Sequence, residues 1–416
     1  MHHIDFEYTY KNHDTTSIRA FYDSNNDLLI LPTLFSLYTS VKGVLHKTEQ
    51  KVDRDTEEVK ISLKEVSVSS ETIYRYMNEL SGFLSFLESQ FQEKALNISL
   101  HVHENASSDV INYYINEICV KQEGRSSTAI SKVVSALDAY YNYLALAHIA
   151  EHKSIYVSPT CADLAKENTR KNRAIKYISK RSRSLMLRHA DCLLDKLILR
   201  CGAELGLRTK ENLGLRYHDF EYGKEKRLGI KSLIEEAESN PSKQVFEFYL
   251  AAKWTKHRRN TGGRSRTLYI RRDLLLAMNE YIKKERPSDA SDNALFIQIE
   301  PLVYGLPIPE NKGTTVFREV RKKLLGKFGR SCGLDVNNRY HHLRHTFGTE
   351  KFYELSGGDY RGLSPESAVM LEVARLMGHS TNSAGGSGNR NFKNPLLVVT
   401  RGYIRSCMEL EQLEAI

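Results

Sequence analysis

The chain has 416 residues, of which 41% are hydrophobic and 27% charged, and it carries a formal net charge of +9. That is the make-up of an ordinary globular protein, long enough for two or three domains with cores of their own. No apolar run is long enough for a membrane span, and the opening residues MHHIDFEYTY lack the apolar core and cleavage site of a secretory signal. The six cysteines, Cys119, Cys161, Cys192, Cys201, Cys332 and Cys407, form no CxxC pair. Reduced thiols in a cytoplasm are therefore expected, not a zinc ribbon or a disulfide framework. The positive surplus points to a polyanionic partner such as nucleic acid, though net charge alone says nothing of fold.

Residues 1–64 read as an accessory segment. Its one clear feature is NDLLILPTLFSLY, an apolar run interrupted at Pro32, which suggests a strand and then a helix. From Ser70, a candidate cap, Ile73, Tyr76, Met77, Leu80, Phe83, Leu84 and Leu87 form one apolar stripe at helical spacing. A second helix is expected from Asp109, with Val110, Ile111, Tyr114, Ile115 and Ile118 on one face, broken at Gly124. Ser126 or Ser127 then caps a third, carrying Ile130, Val133, Val134, Leu137, Tyr141 and Leu144. These helices predict a small all-α domain over 65–150, its aromatic residues forming core and not a stacking surface.

Residues 151–183 read as a basic linker. From Lys166 to Arg188 the chain carries Lys166, Arg170, Lys171, Arg173, Lys176, Lys180, Arg181, Arg183 and Arg188, opposed only by Glu167. Such a run is a solvated face unless DNA is supported elsewhere, in which case it tracks phosphates. Residues 184–416 predict a mixed domain. Helix is expected over 185–219 and 272–285. Strands over 245–252 and 267–270 flank a basic turn, KWTKHRRNTGGRSR, with Gly262-Gly263 at its tip. Then come HHLRHTFGTE, a helix through EVARLMGH, a Gly/Ser/Asn-rich stretch and a last short helix. The fold class is mainly α with a small β component (α+β).

Four separated pieces are chemically coherent: GLRTKENLGLRYHD with Arg208, Glu211 and Asp219; the basic hairpin with Lys253 and Lys256; HHLRH with His341 and Arg344; and LMGHS with His379, followed by Tyr403. Breaking a phosphodiester without a metal needs cations on the non-bridging oxygens, and paired guanidiniums supply them with forked, permanent charge. It needs a hydroxyl nucleophile helped to lose its proton, because tyrosine ordinarily titrates near pH ~10. It also needs a general acid for the leaving 5′ oxygen, a task for Lys or His.

These segments resemble the tyrosine recombinase (phage-type integrase) family. Gly206–Asp219 is similar to its first box, with Arg208, Glu211, Leu215 and Asp219 in register, and YHHLRHTFGT to its second. LMGHS is similar to the motif after that, and TRGYIR to the tyrosine helix. The resemblance implies that Arg208 and Arg344 bind the scissile phosphate, that His341 and His379 assist, and that a hairpin lysine protonates the leaving oxygen. Tyr403 would form a 3′-phosphotyrosyl link that conserves bond energy, so neither metal nor ATP is required. The implied architecture is a helical core-binding domain at 65–150 and a catalytic domain at 184–416. The implied partner is double-stranded DNA, contacted by Lys166, Arg170, Lys171, Arg173, Lys180, Arg181, Arg183, Lys253, Arg258 and Arg259. A homotetramer would exchange strands through a Holliday junction, starting from a monomer or weak oligomer, in a bacterial, nucleoid-associated cytoplasm.

Each piece also has a plainer reading. Arg208 and Glu211 could be a surface ion pair at i, i+3, and His379 after Gly378 a simple helix cap. His341 and His345 have zinc-compatible spacing, but His342 stands where a metalloprotease motif needs Glu. Lys253 and Lys256 would face opposite sides of a regular strand; the family's Thr-Lys pattern favours Lys256. Tyr403 lies 24 residues after His379, a longer spacing than the family's. The inserted stretch, NSAGGSGNRNFKNP, reads as a flexible loop that leaves the tyrosine helix room to move, and lengthening a loop costs little. Only 13 residues come after Tyr403, enough for one short helix that docks on a neighbouring protomer or on its own domain. The rival functions are a type IB topoisomerase with the same chemistry, a DNA-binding protein that has lost catalysis, and a metalloprotein built on the HHxxH cluster.

Overall fold

Each long apolar stripe in the sequence becomes a helix that buries it. The computed structural model describes residues 1–9, 16–52, 59–171, 176–255, 263–363, 367–379, 406–408 and 410–412. The chain divides into two compact units, Met1–Arg173 and Ala174–Ile416. The described elements are helices and four two-stranded antiparallel sheets, so the fold is mainly α with a small β component. No described helix is long and apolar enough to cross a membrane.

In the first unit, β1 (His2–Tyr8) pairs with β2 (Thr16–Tyr22), and α1 (Ile30–Lys42) leads into the hairpin of β3 (Val44–Val52) and β4 (Val59–Ser67). Then come α2 (Ser70–Gln92), α3 (Ser108–Tyr113), which runs on into a π-helical turn over Tyr114–Gln122, α4 (Ser127–Leu146) and α5 (Pro159–Lys171). All seven stripe residues of α2 are buried. Removing such side chains from water stabilises by roughly 1.5–3 kcal/mol each, which is why tertiary packing holds this helix. Its cap is Ser69 and not Ser70: the Ser69 hydroxyl accepts from the Thr72 amide at 3.3 Å. Ser126 caps α4 in the same way. Tyr114, Tyr140 and Tyr141 are buried, so the aromatic residues of the apolar stripes are core, while Tyr74, Phe91 and Tyr113 are exposed.

Two expectations about boundaries fail. Residues 1–64 are not separate from the helices, because Phe21, Leu29, Phe35 and Leu45 share one core with α2 and α4. The stretch 151–183 is mostly not linker. Residues 154–158 run beside Asn112 and Asn116, whose side chains bond the backbone of Ser154, Tyr156 and Ser158. Cys161 and Ala165 of α5 enter the same core. Carboxamides standing in for a neighbouring strand satisfy backbone groups that a linker would leave to water.

The second unit opens with α6 (Lys180–His189), α7 (Leu193–Glu204) and a 3-10 turn over Thr209–Gly214. The helix expected over 185–219 is therefore broken twice, at Ala190 and at Gly206, whose φ of 62° suits glycine. Next are β5 (Phe220–Tyr222), β6 (Glu225–Arg227), α8 (Ile230–Ser239), β7 (Val245–Leu250), β8 (Arg266–Arg271) and α9 (Arg272–Lys284). The unit continues with α10 (Lys312–Phe328), α11 (Tyr340–Leu355) and α12 (Ala368–Leu376). Strand alternation puts Phe246, Phe248 and Leu250 on one face of β7, opposite Ile270, Leu268 and Arg266 of β8; all six are buried. Past β7, residues Ala252–Trp254 form a 3-10 turn, so the opposite-faces argument for Lys253 and Lys256 does not apply. In the tail, the buried Cys407 joins Phe347, Phe352 and Met377 in one cluster, and Tyr360 donates to Glu411 at 2.7 Å. These described residues of the tail therefore pack within their own unit.

Candidate active site

The site is built around one carboxylate. Arg208 caps the 3-10 turn, and three residues later Glu211 folds back to accept from the Arg208 amide at 2.9 Å and from its guanidinium at 2.6 Å. The pair is thus more than a surface bridge, for Glu211 is fully buried. Arg266 forks onto the same carboxylate at 2.7 and 3.2 Å, and Arg344 reaches it at 3.4 Å. Despite burial, which favours the neutral acid, Arg266, Arg344 and Arg208 hold the Glu211 carboxyl down at about 2. Three guanidiniums meet one carboxylate, a positive balance that attracts an anion.

Arg344 is the hub. Its helix α11 packs on α7, and its guanidinium donates to the backbone carbonyls of Gly206 and Met377. It therefore ties the first box to the LMGH turn. Only 1% of the Arg344 side chain is exposed, against 26% for Arg208, so Arg208 alone of the two opens to solvent here. Gly206 has no room for a side chain: a Cβ there would stand 2.5 Å from the Phe347 ring. Tyr340 lies between Gly202 and Gly313, accepting from Asn212 at 3.0 Å and donating to Ile198 at 3.0 Å. Asp219 of the first box does not reach this cluster; it accepts from Gly229 and Ser232 at the start of α8.

His341 lies at the solvent-facing start of α11, one turn from Arg344. Surrounding protein first, then Arg344 and Arg208, push its imidazole down to about 4. His342 is likewise held at about 4, and His345 at about 3, with Lys176 among the causes for both. His341 and His345 stack edge to face at 4.8 Å, and His342 bonds Asn338 at 3.1 Å. Lowered in this way, all three imidazoles favour the neutral form at pH 7, suited to hydrogen bonding and weak as bases. The zinc-compatible spacing is not joined by a third ligand among the described residues, where the one cluster with metal-like spacing is Asp23, Asp27 and His101 in the other unit.

His379 comes just after α12. Gly378 takes the left-handed conformation at φ 60°, and the His379 amide closes the turn on the Ala374 carbonyl at 2.8 Å. So the residue does occupy a helix C-terminal turn, and that turn is the one Arg344 grips. Arg264 donates to the His379 carbonyl at 3.3 Å. At the base of the β7–β8 turn, the Thr255 hydroxyl donates to Ala252 and accepts from the Arg264 amide, both at 2.8 Å. Gly263 is needed there because a Cβ would meet the Ala252 carbonyl at 2.0 Å.

Lys256, Arg258, Arg259 and Tyr403 lie outside the described residues, as do Arg173, the side chains of Arg170 and Lys171, and the 382–395 stretch. Lys253 is exposed, its ammonium 5.2 Å from the Trp254 ring. Lys166 is exposed but paired with Asp163 at 2.7 Å. Lys180 and Arg181 are exposed on α6, whereas Arg183 is turned inward onto Glu350, which also accepts from Tyr177. Arg183 is thus neutralised by an acid that lies far off in sequence. Sequence reasoning missed Arg266 altogether. The signal was present: the alternation that buries Leu268 and Ile270 puts Arg266 on the same face, and a buried arginine requires a buried partner. A groove of about 1040 Å³ under β8, α9, α11 and α12 holds none of Arg208, His341, Arg344 or His379.

No family model and no curated relative matches the sequence. Among solved structures, the chain is similar to XerA recombinase, with 16% identity, 83% of this chain and 92% of the other covered, and a TM-score of 0.34. It is similar to the Tn1549 transposon integrase in complex with a circular intermediate DNA, at 14% identity, 92% and 99% coverage, and a TM-score of 0.45. A lambda integrase dimer bound to a COC' core site gives 12% identity, 79% and 94% coverage, and a TM-score of 0.42. Likenesses this weak do not assign an activity; only the chemistry of the site can.

Proposed function

We propose that this protein is a tyrosine-type site-specific DNA recombinase that breaks and rejoins DNA through Tyr403. The observation that carries the reading is the convergence on Glu211. Arg208 and Arg344 stand 136 positions apart in sequence, yet both bind one buried carboxylate. His341 is one turn away and His379 sits on the turn that Arg344 holds. A pair of guanidiniums beside neutral imidazoles is what a pentacoordinate phosphorus with spreading negative charge requires.

In this reading the Tyr403 phenolate attacks phosphorus, the bond to the 5′ oxygen breaks, and Lys256 gives that oxygen its proton. The new 3′-phosphotyrosyl bond retains the energy of the old one, and a free 5′ hydroxyl reverses the step. Arg208 meets the phosphate as it stands; Arg344 does so by releasing the Met377 carbonyl, which couples DNA engagement to movement of the His379 turn. Exposed Lys180, Arg181 and Lys253 contact the backbone, a positioning role that carries no base specificity. A tetramer passing through a Holliday junction, acting to integrate or excise a mobile element, completes the proposal. A DNA-binding protein without catalysis is the second reading, favoured by the long spacing before Tyr403 and disfavoured by the retained Arg and His residues.

The test is a duplex site nicked near the scissile phosphate, incubated without divalent metal. Wild type should form a covalent protein–DNA complex whose modified peptide contains Tyr403, and Tyr403→Phe should form none. A complex that survives Tyr403→Phe, or one that needs metal, would refute the reading.

A further inference from the structure

We propose that Arg266 is a positioning residue of this phosphate-binding centre: by saturating Glu211 it keeps Arg208 available to substrate, and it supports the turn that carries His379. The inference rests on the recombinase reading above.

Arg266 opens β8 opposite Leu250, on the face of the hairpin that is buried. Its side chain is 4% exposed, so it cannot be a substrate contact as it stands. What it touches is informative. Its fork covers both oxygens of Glu211. Those oxygens also take the Arg208 amide, the Arg208 guanidinium and Arg344. A carboxylate has about four lone-pair directions, and here five donors share them. Without Arg266, the two remaining guanidiniums are the nearest groups able to fill the vacated directions. Arg208, the one of the two that opens to solvent, would close onto Glu211 and turn its donors away from solvent. A carboxylate that must organise a phosphate site without neutralising it needs a third cation that never meets the phosphate, and Arg266 has that geometry.

The second contact is with the LMGH turn. A Cβ on Gly378 would stand 3.1 Å from the Arg266 guanidinium and 3.3 Å from its Cδ, so the turn rests directly on this side chain. Arg344 grips the same turn through the Met377 carbonyl. Arg266 therefore touches both the box that presents Arg208 and the turn that presents His379. Lysine could supply the charge but not the planar fork that spans two oxygens.

The experiment compares wild type, Arg266→Lys, Arg266→Met, Glu211→Gln and the double variant Arg266→Met with Glu211→Gln. Each is assayed for DNA affinity by titration and for single-turnover covalent complex formation on the nicked duplex at saturating protein. Arg266→Lys should bind DNA like wild type but react at least about tenfold more slowly, since misplacing groups by ~1 Å costs up to ~100-fold. The double variant should lose less than the product of the two single losses, because one of the two routes by which Arg266 acts runs through that carboxylate. Should Arg266→Met fail to fold, Arg266→Lys, which keeps the buried charge, decides the matter. A wild-type rate in Arg266→Lys, or losses from Arg266→Met and Glu211→Gln that simply multiply, would overturn the positioning role. Wild type that forms no covalent complex would instead overturn the recombinase reading.

Discussion

Replacing Glu211 with Gln keeps the shape of the side chain and removes the negative charge shared by Arg208, Arg266 and Arg344. Its ordinary pKa of 4.5 is pulled to about 2, a displacement of about 2.5 units. At ~1.36 kcal/mol per unit, that corresponds to about 3 kcal/mol of stability at neutral pH. The figure agrees with the ~3–5 kcal/mol lost when one partner of a buried ion pair is removed. A carboxyl whose folded pKa is depressed contributes fully above its unfolded value and loses that contribution as pH falls through the folded one. The variant should therefore be about 3 kcal/mol less stable than wild type at pH 7, and the gap should narrow below pH ~4.5. In a unit of this size the gap corresponds to a melting temperature lower by roughly 6–12 °C. The chain's single tryptophan, Trp254, belongs to the same unit and packs where a Cβ on Gly214 would stand, so its fluorescence tracks the relevant transition in urea. His341, His342 and His345 titrate in both proteins and cancel in the difference. Equal midpoints at pH 7, or a gap that stays constant down to pH 3, would refute the reasoning.

The same geometry sets further outcomes. The three imidazoles of α11 are held below 6.5 in the folded chain, so the unfolded chain protonates first. Unfolding free energy should fall as pH drops from about 6.5 towards 4, and His345→Asn should flatten that slope; an unchanged slope would show that His345 is not among its sources. Gly378→Ala forces a Cβ into a left-handed turn against Arg266. It should lose ~1–2 kcal/mol and slow covalent complex formation, whereas a variant as active as wild type would show that the turn does not need its geometry. Tyr340→Phe strands Asn212 and the Ile198 carbonyl and should cost ~1–3 kcal/mol in urea unfolding. Lys256→Ala should slow cleavage by ~10²–10⁴-fold, the usual share of a general acid. Lys253→Ala should change it little, and the reverse order would reassign the proton donor.

Much of the local structure was legible because periodicity is a local property. The stripe from Ile73 to Leu87 predicts a buried helix face, and all seven residues are buried. The β7–β8 pairing was legible from two apolar runs around a glycine pair. Where reading failed, a distant partner decided. Ser69 and Ser70 are both competent caps, and in the fold it is Ser69 that accepts from the Thr72 amide. The basic run looked uniform, yet Glu350 drew Arg183 inward while Lys180 stayed exposed. Residues 1–64 looked accessory because the core they complete lies on helices that begin only at Ser70.

The sequence by itself determined which groups are available: two guanidiniums, two histidines and a tyrosine in boxes whose order is chemically coherent, together with mainly helical architecture. Side-chain type and spacing along the chain suffice for that, because helix and strand periods are set by the backbone. Only the tertiary structure decided what Glu211 is for. In sequence it is the i+3 neighbour of Arg208. In the fold it is the buried anion on which three arginines from three segments meet. The physical reason is desolvation: a charge taken out of water must find its partners wherever the chain brings them, and no local pattern records where that is.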